Sequence, residues 1–329
     1  MGAIEPFQGP VFVVGMPRSG TKLLRDLMNQ HPMIAIPPVE TELLPRWADR
    51  WPSYGDLSDP AVFRAFHASE VGAAYFIYLR EEHQLQVHAD EWYAACRGHG
   101  LADVFEALVR QTVRVPSEGV WGDKSPGYVT RIPQIRRIWP HARFIHIIRD
   151  CRDYCLSMQS AWNKDPRRAA QRWADDVALA LDAEQAAEGT VLRVHYEGLL
   201  GAPEDTMRGV LAHLGLDWDP ACASLARPSE NLGSTAGEAR IVATNRDKWR
   251  QEMAPDLRAS IEAIAGATLA RAGYDVDQAG SERLSLAERR MAQVRDGFHL
   301  VRFDAAERGW MGALRFRWRI FRDSGAWEG

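Results

Sequence analysis

The chain has 329 residues, is 46% apolar and 26% charged, and carries a formal net charge of −4. That length holds one large domain or two modest ones, and the apolar share supplies a sizeable core. The slightly acidic balance gives no global electrostatic case for nucleic acid or an anionic membrane as a partner, and four cysteines without a CxxC pair point to a reducing compartment rather than a disulfide framework.

Met1 to Pro6 shows no basic segment leading into an apolar core, as a signal peptide would, and Pro6 stands where a myristoylation motif wants Ser or Thr. No apolar run approaches about 18 residues, so no membrane span is expected. The expected location is the cytoplasm. Strand-like runs occur at Val11–Val14, Met33–Ile36, Phe144–Ile148 and Val191–His195, and a further strand is expected just before Lys124. Between them lie helical patterns. The first starts near Leu23 and ends near His31-Pro32. Others cover Ala102–Val113, Pro133–Trp139 with Pro at the first position, Asp153–Trp162, the Ala-rich Arg168–Glu188, Glu204–Leu214 and Asp256–Ala272. Another helix is expected to start at Glu40, after Pro37-Pro38. Strands alternating with helices predict an α/β fold, a central parallel sheet flanked by helices. Ser53–Pro60 and Ala226–Glu238 read as loops. From Gly280 onward the composition changes to ten Arg, no Lys and a cluster of Trp and Phe. The expected organisation is an α/β domain over 1–278 and a helical extension over 279–329.

The segment Gly15-Met-Pro-Arg-Ser-Gly-Thr-Lys22 follows an apolar strand and opens a helix, the arrangement that offers backbone N–H groups to a phosphate. It has the G-x-x-x-x-G half of a Walker A loop, but Thr21 and Lys22 stand in the reverse of the expected order. In an ATP-dependent kinase the Lys reaches the β/γ-phosphates and the hydroxyl holds Mg²⁺, so the reversal leaves the magnesium ligand without its place. A turn that binds nothing does not need Arg, Ser and Thr together. A second element, Arg143 to Ser157, is an apolar strand that ends in Arg149 and leads into a helix. Arg149 therefore sits at a carboxyl strand end, where open α/β sheets place ligands, and its planar fork suits phosphate. A kinase would instead use Asp150 as a metal-holding acid.

Four motifs in this order resemble those of the P-loop-type sulfotransferases that use 3′-phosphoadenosine 5′-phosphosulfate (PAPS). The first loop with His31-Pro32 resembles their 5′-phosphosulfate loop. Arg149 and Ser157, eight apart, resemble their 3′-phosphate motif. Trp121-Gly-Asp-Lys-Ser-Pro126 resembles the family's Asp-Lys-Ser/Thr-Pro stretch, and Val194-His-Tyr-Glu-Gly-Leu-Leu200 its Tyr-Glu-x-Leu segment. The likeness runs over about residues 9 to 275 and is nearest the tyrosylprotein sulfotransferase branch and its bacterial relatives, through Val39-Glu-Thr-Glu42. There Val39 replaces an acid and Glu42 an Arg that, by resemblance, contacts an acidic acceptor peptide. A small-molecule hydroxyl acceptor is therefore favoured over a protein tyrosine.

The resemblance implies a sulfotransferase-like fold and in-line sulfuryl transfer from PAPS to a hydroxyl, leaving 3′-phosphoadenosine 5′-phosphate (PAP), with no metal. It implies Glu40 as general base, Lys124 on the bridging oxygen, and Arg18, Ser19, Gly20, Thr21 and Lys22 around the phosphosulfate, with Arg18 also assisting transfer. Arg149 and Ser157 would hold the 3′-phosphate, with Tyr196 and Arg240 as further nucleotide contacts. On residue chemistry alone Glu40 serves equally as an acid at a helix N-terminus. The alternative functions are an ATP-dependent P-loop kinase and a nucleotide-binding interaction protein without transfer activity. In the extension, Trp310, Leu314, Trp318 and Phe321 fall on one helical face with arginines around it. Docking on the protein's own surface is the favoured expectation there. Peripheral membrane contact and a homodimer are the other two.

Overall fold

The structure is a computed structural model, and it describes residues 6–324 apart from Ser117, Glu188 and 231–233. The side chains of Glu307 and of residues 319–324 also fall outside the description, and with them the expected place of Phe321.

Five parallel strands form one sheet: β1 Val11–Gly15, β2 Ile34–Ala35, β3 Val120–Lys124, β4 Arg143–Ile148 and β5 Val191–His195, in the order β2-β3-β1-β4-β5. The expected central parallel sheet with flanking helices is what the chain forms. Side chains alternate across a strand, and in β1 this divides the core in two. Phe12 and Val14 enter one apolar cluster with Trp47, Trp121 and Phe144, while Val11 and Val13 enter another with Leu24, Ile145 and Leu211. All five β1 residues are buried. A strand covered on both faces by helices reads as an unbroken apolar run, and Val-Phe-Val-Val does.

The helices are α1 Thr21–Met28, α2 Leu44–Arg50, α3 Pro60–Glu70, α4 Ala74–His83, α5 Ala89–Ala95, α6 Leu101–Thr112, α7 Ile132–Ile138, α8 Cys151–Trp162, α9 Pro166–Ala186, α10 Tyr196–Gly201, α11 Pro203–Leu214, α12 Trp249–Glu252, α13 Pro255–Ala272 and α14 Leu286–Ser324. Several begin as their sequences dictate. Asp59, Asp150 and Asp165 each accept a backbone N–H at a helix start, and Pro sits in the first turn of α3, α9, α11 and α13.

One expectation is corrected. No helix starts at Glu40. Residues 40–43 are irregular, and α2 begins at Leu44 with Pro45 in its first turn. Glu42 is held at φ 51. Ser125 Oγ accepts the Glu42 backbone N–H at 3.3 Å and the Tyr128 hydroxyl accepts that of Leu44 at 2.9 Å. These partners, more than 80 residues away, hold the segment out of helical geometry. Between Trp51 and Tyr54, at the start of the expected loop, the backbone makes a short 3₁₀ turn.

The described part of α14 docks one side on the α/β unit. Asp296 accepts the Asp165 backbone N–H at 3.0 Å and pairs with Arg168 at 2.7 Å, Arg295 pairs with Asp165, and Asn163 Nδ2 lies 3.2 Å from the His299 ring. Gly309, at φ 67 and ψ 161, kinks the helix, and beyond the kink Phe316 meets Tyr78 of α4 edge-on.

Candidate active site

The site lies at the carboxyl ends of β3, β1 and β4. After β1 the chain turns through Met16–Gly20 into α1. Arg18 takes a left-handed φ of 66, and Gly20 takes φ 90 as the residue before α1. A Cβ on Gly20 would lie 2.4 Å from the Tyr196 ring, so only glycine fits. No side chain caps α1, which leaves its first-turn N–H groups directed at the cleft. Ser19 is fully buried, and its Oγ has no hydrogen-bond partner among the described residues. A buried hydroxyl in that state is costly unless a ligand completes it. Thr21, also buried, is the first residue of α1. Lys22 follows. Burial holds it below the ordinary lysine value, opposed by the Glu230 carboxylate and reinforced by the Arg25 and Lys124 cations.

β4 delivers Arg149, 5% exposed. Its Nη1 donates to the Arg18 carbonyl at 3.1 Å, and its guanidinium lies 4.8 Å from the centre of the Tyr196 ring. Its Nε is buried without a hydrogen-bond partner among the described residues. The Tyr196 hydroxyl accepts from Asn245 Nδ2 at 2.8 Å, and burial raises that phenol above its usual range. Arg18 joins the two motifs: its Nε donates to Ser157 Oγ at 3.4 Å, and its Nη1 pairs with Glu230 at 3.1 Å. Arg18, Gly20, Arg149, Tyr196, Asn245 and Arg240 line one cleft. Arg240 stands at the rim, with an exposed side chain whose Nε donates to Glu238 at 3.1 Å.

β3 ends in Lys124, whose side chain is 1% exposed and forms an ion pair with Glu40. What places Glu40 there is its neighbour. Thr41 Oγ1 donates to Asp123 at 2.9 Å and lies 2.8 Å from the Tyr128 hydroxyl, and Ser125 donates to Asp123 at 2.8 Å. Burial raises the Asp123 carboxyl to about 6, against the lowering effect of its hydrogen bonds to Ser125 and Thr41 and of the Lys124 cation. Glu42 points elsewhere, accepting the Gly127 N–H at 3.4 Å.

Asp150, the acid a kinase would need, is engaged. It caps α8 through the Arg152 N–H at 2.8 Å and takes the Arg152 guanidinium at 3.0 and 2.7 Å. Arg152 continues to Glu262 at 2.8 Å and stacks 3.7 Å from the Trp249 ring. Asp153 accepts the Trp249 N–H at 2.9 Å, which holds the Asn245–Trp249 segment near Arg149. Cys151 and Cys155 share a helix face with sulfurs 4.0 Å apart, both buried free thiols. His146 is buried against Glu184 at 2.5 Å, on the far side of β4 from the cleft's arginine.

Comparison with known proteins converges. The sequence model described as the sulfotransferase family matches residues 10–220. The nodulation protein NoeE of Sinorhizobium fredii is 26% identical over 306 residues, covering 83% of this chain and 67% of that protein. Protein-tyrosine sulfotransferase A of Caenorhabditis elegans is 22% identical over 293 residues, covering 80% and 67%. Among solved structures, the sulfotransferase domain from the Synechococcus PCC 7002 olefin synthase superposes with a TM-score of 0.57 at 23% identity, over 84% of this chain and 98% of that one. The sulfotransferase domain from the curacin biosynthetic pathway gives 0.55 at 18%, over 82% and 99%. These two likenesses concern the fold.

Proposed function

The chain belongs to the sulfotransferase family, and we propose that it is a PAPS-dependent enzyme acting on a hydroxyl of a small molecule, with Glu40 as its base. The observation that supports this reading best is the pair of buried donors without a hydrogen-bond partner among the described residues, Ser19 Oγ next to Arg18 in the chain and Nε of Arg149, whose Nη1 donates to the Arg18 carbonyl. Two separate donor sets suit a ligand with two anionic ends, one at the α1 N-terminus and one beside Arg149.

The residues present fit that donor. Ser19, Gly20, Thr21, Lys22 and Arg18 would hold the phosphosulfate, and Arg149 with Ser157 the 3′-phosphate. Tyr196 supports Arg149 through its ring, and Arg240 would close the rim. When bound, PAPS supplies the sulfuryl group, whose bond to the phosphate oxygen breaks as the acceptor oxygen bonds to sulfur. Glu40 takes the hydroxyl proton. Lys124 and Arg18 supply positive charge where negative charge grows on the departing phosphate. Thr41 and Asp123 are positioning residues for Glu40. Residues 1–278 would form the catalytic unit and 279–329 an extension.

A second reading, a binding protein without turnover, keeps the same nucleotide contacts. Thermal shift with PAP, ATP–Mg²⁺ and AMP in parallel tests the donor. Stabilisation by PAP above both others is expected, and a preference for ATP–Mg²⁺ would overturn the reading. Transfer of labelled sulfate from PAPS to a hydroxyl library separates enzyme from binder.

A further inference from the structure

Helix α14 carries apolar residues on both sides, with Ala292, Leu300 and Val301 buried. Its docked side buries carboxylates: Asp296 is fully buried on Arg168, and Asp304, 7% exposed, pairs with Arg317. Its outer side carries a further, exposed set of apolar residues. Of the eleven large apolar side chains exposed among the described residues, nine lie in α14. Met291 (74%), Val294 (75%) and Phe298 (59%) fall at spacings of three and four, on one stripe of the first segment. Beyond the Gly309 kink, Trp310, Met311 and Leu314 are exposed by about half or more. A helix whose only task was to pack on this domain would turn these groups inward, because exposed patches of this kind mark an interaction surface.

Charge identifies the partner. Residues 286–324 hold nine arginines and five acids, in a chain whose total charge is −4. Two of the acids are the buried Asp296 and Asp304, and a third, Glu288, is tied to Ser285 and Arg167 in the first turn. Arg290, Arg302, Arg308 and Arg315 are all exposed. We propose that this outer face lies on an anionic lipid surface, with the apolar stripe in the headgroup boundary and the arginines on lipid phosphates. A second copy of the chain fits less well, since a twofold contact would bring the same arginines together while three of the segment's five acids are already engaged within the chain. No helix of the described residues is long and apolar enough to cross a membrane, so the contact is one of lying on the surface. The proposal stands independently of the reading of the nucleotide cleft.

Flotation of the full chain with lipid vesicles tests it. Recovery is expected with vesicles containing phosphatidylglycerol and not with phosphatidylcholine alone, and it should fall as salt rises. The combined variant Met291→Ser, Val294→Ser, Phe298→Ser should reduce partition by about tenfold or more. Arg290→Gln with Arg302→Gln and Arg315→Gln should do the same. All substituted groups are exposed, and an unchanged melting temperature will verify that the variants fold. Equal recovery with both vesicle types, or full recovery of the apolar variant, would overturn the proposal. So would a dimer in sedimentation equilibrium that the apolar variant abolishes, which would assign the face to a second copy.

Discussion

Lys124 and Glu40 meet as an ion pair between a side chain 1% exposed and one 43% exposed. The lysine comes from inside the sheet and the carboxylate stays open to whatever approaches from solvent. That asymmetry suits a base that must reach an incoming hydroxyl beside a cation committed to the donor. Glu40→Gln is therefore expected to lower turnover by about 10² to 10⁴-fold and to leave PAP binding unchanged by calorimetry. Wild-type turnover in this variant would place the base elsewhere.

Arg149 should decide which nucleotide is accepted. Its hydrogen bonds to a phosphate are charge-assisted, each of order 1.5–3 kcal/mol. Arg149→Met should thus reduce the preference for PAP over AMP by about 10- to 100-fold. The ratio of the two dissociation constants is the measurement, because it cancels any general loosening of the cleft. A ratio equal to the wild-type value would remove the 3′-phosphate from Arg149.

Glu230 stands on Arg18 at 3.1 Å, where the donor's anionic end is proposed to lie. Binding would have to displace it. Both partners are part-exposed, so the pair is worth about 0.2–1 kcal/mol. Glu230→Gln is accordingly expected to tighten PAP binding by up to about fivefold. Weaker binding would show instead that Glu230 helps to organise the loop for the ligand.

Asp123 gives the fold a pH signature. Its carboxyl is raised from 3.8 to about 6, first through burial. The native state then holds this proton more tightly than the unfolded chain does. The resulting stability is fully present below about pH 4 and is lost as pH rises through about 6, up to about 3 kcal/mol. Asp123→Asn keeps an acceptor for Thr41 and Ser125 without the titration. The variant's unfolding free energy relative to wild type should therefore be higher at pH 8 than at pH 5 in urea titrations. The same difference at both pH values would show that Asp123 is not raised.

Much of the frame was legible in the sequence because it is local. Val11–Val14 is an unbroken apolar run and Phe144–Ile148 one interrupted only by His146, and such runs become the inner strands of a parallel sheet. The two candidate anion-binding motifs follow those strands directly, so their residues lie at the carboxyl ends by topology alone. The rest depends on contacts between distant parts of the chain. The turn that replaces a helix at Glu40 is imposed by Ser125 and Tyr128. Glu230 meets Arg18 across 212 positions, and Asn245 meets Tyr196 across 49. No periodicity carries that information. The one available signal for Asp123 was its place beside Lys124, which shows an acid in an apolar strand but not its partners. α3, α4 and α5 also leave no clear periodic signal, since their aromatics pack on each other around Trp92 rather than along a single stripe.

The strand order has a consequence for what the cleft can measure. Lys124, the loop after Gly15 and Arg149 leave three adjacent strands, β3, β1 and β4. Neighbouring strands are about 4.8 Å apart, so the hydrogen-bond ladder sets these groups on a ruler about 10 Å long. Side-chain substitutions can change how strongly each mark on that ruler grips, but not the distance between marks. The three side chains must reach any donor from those fixed starting points. Moving the starting points themselves further apart would require a different strand order, since a change of register slides strands along each other without altering their spacing.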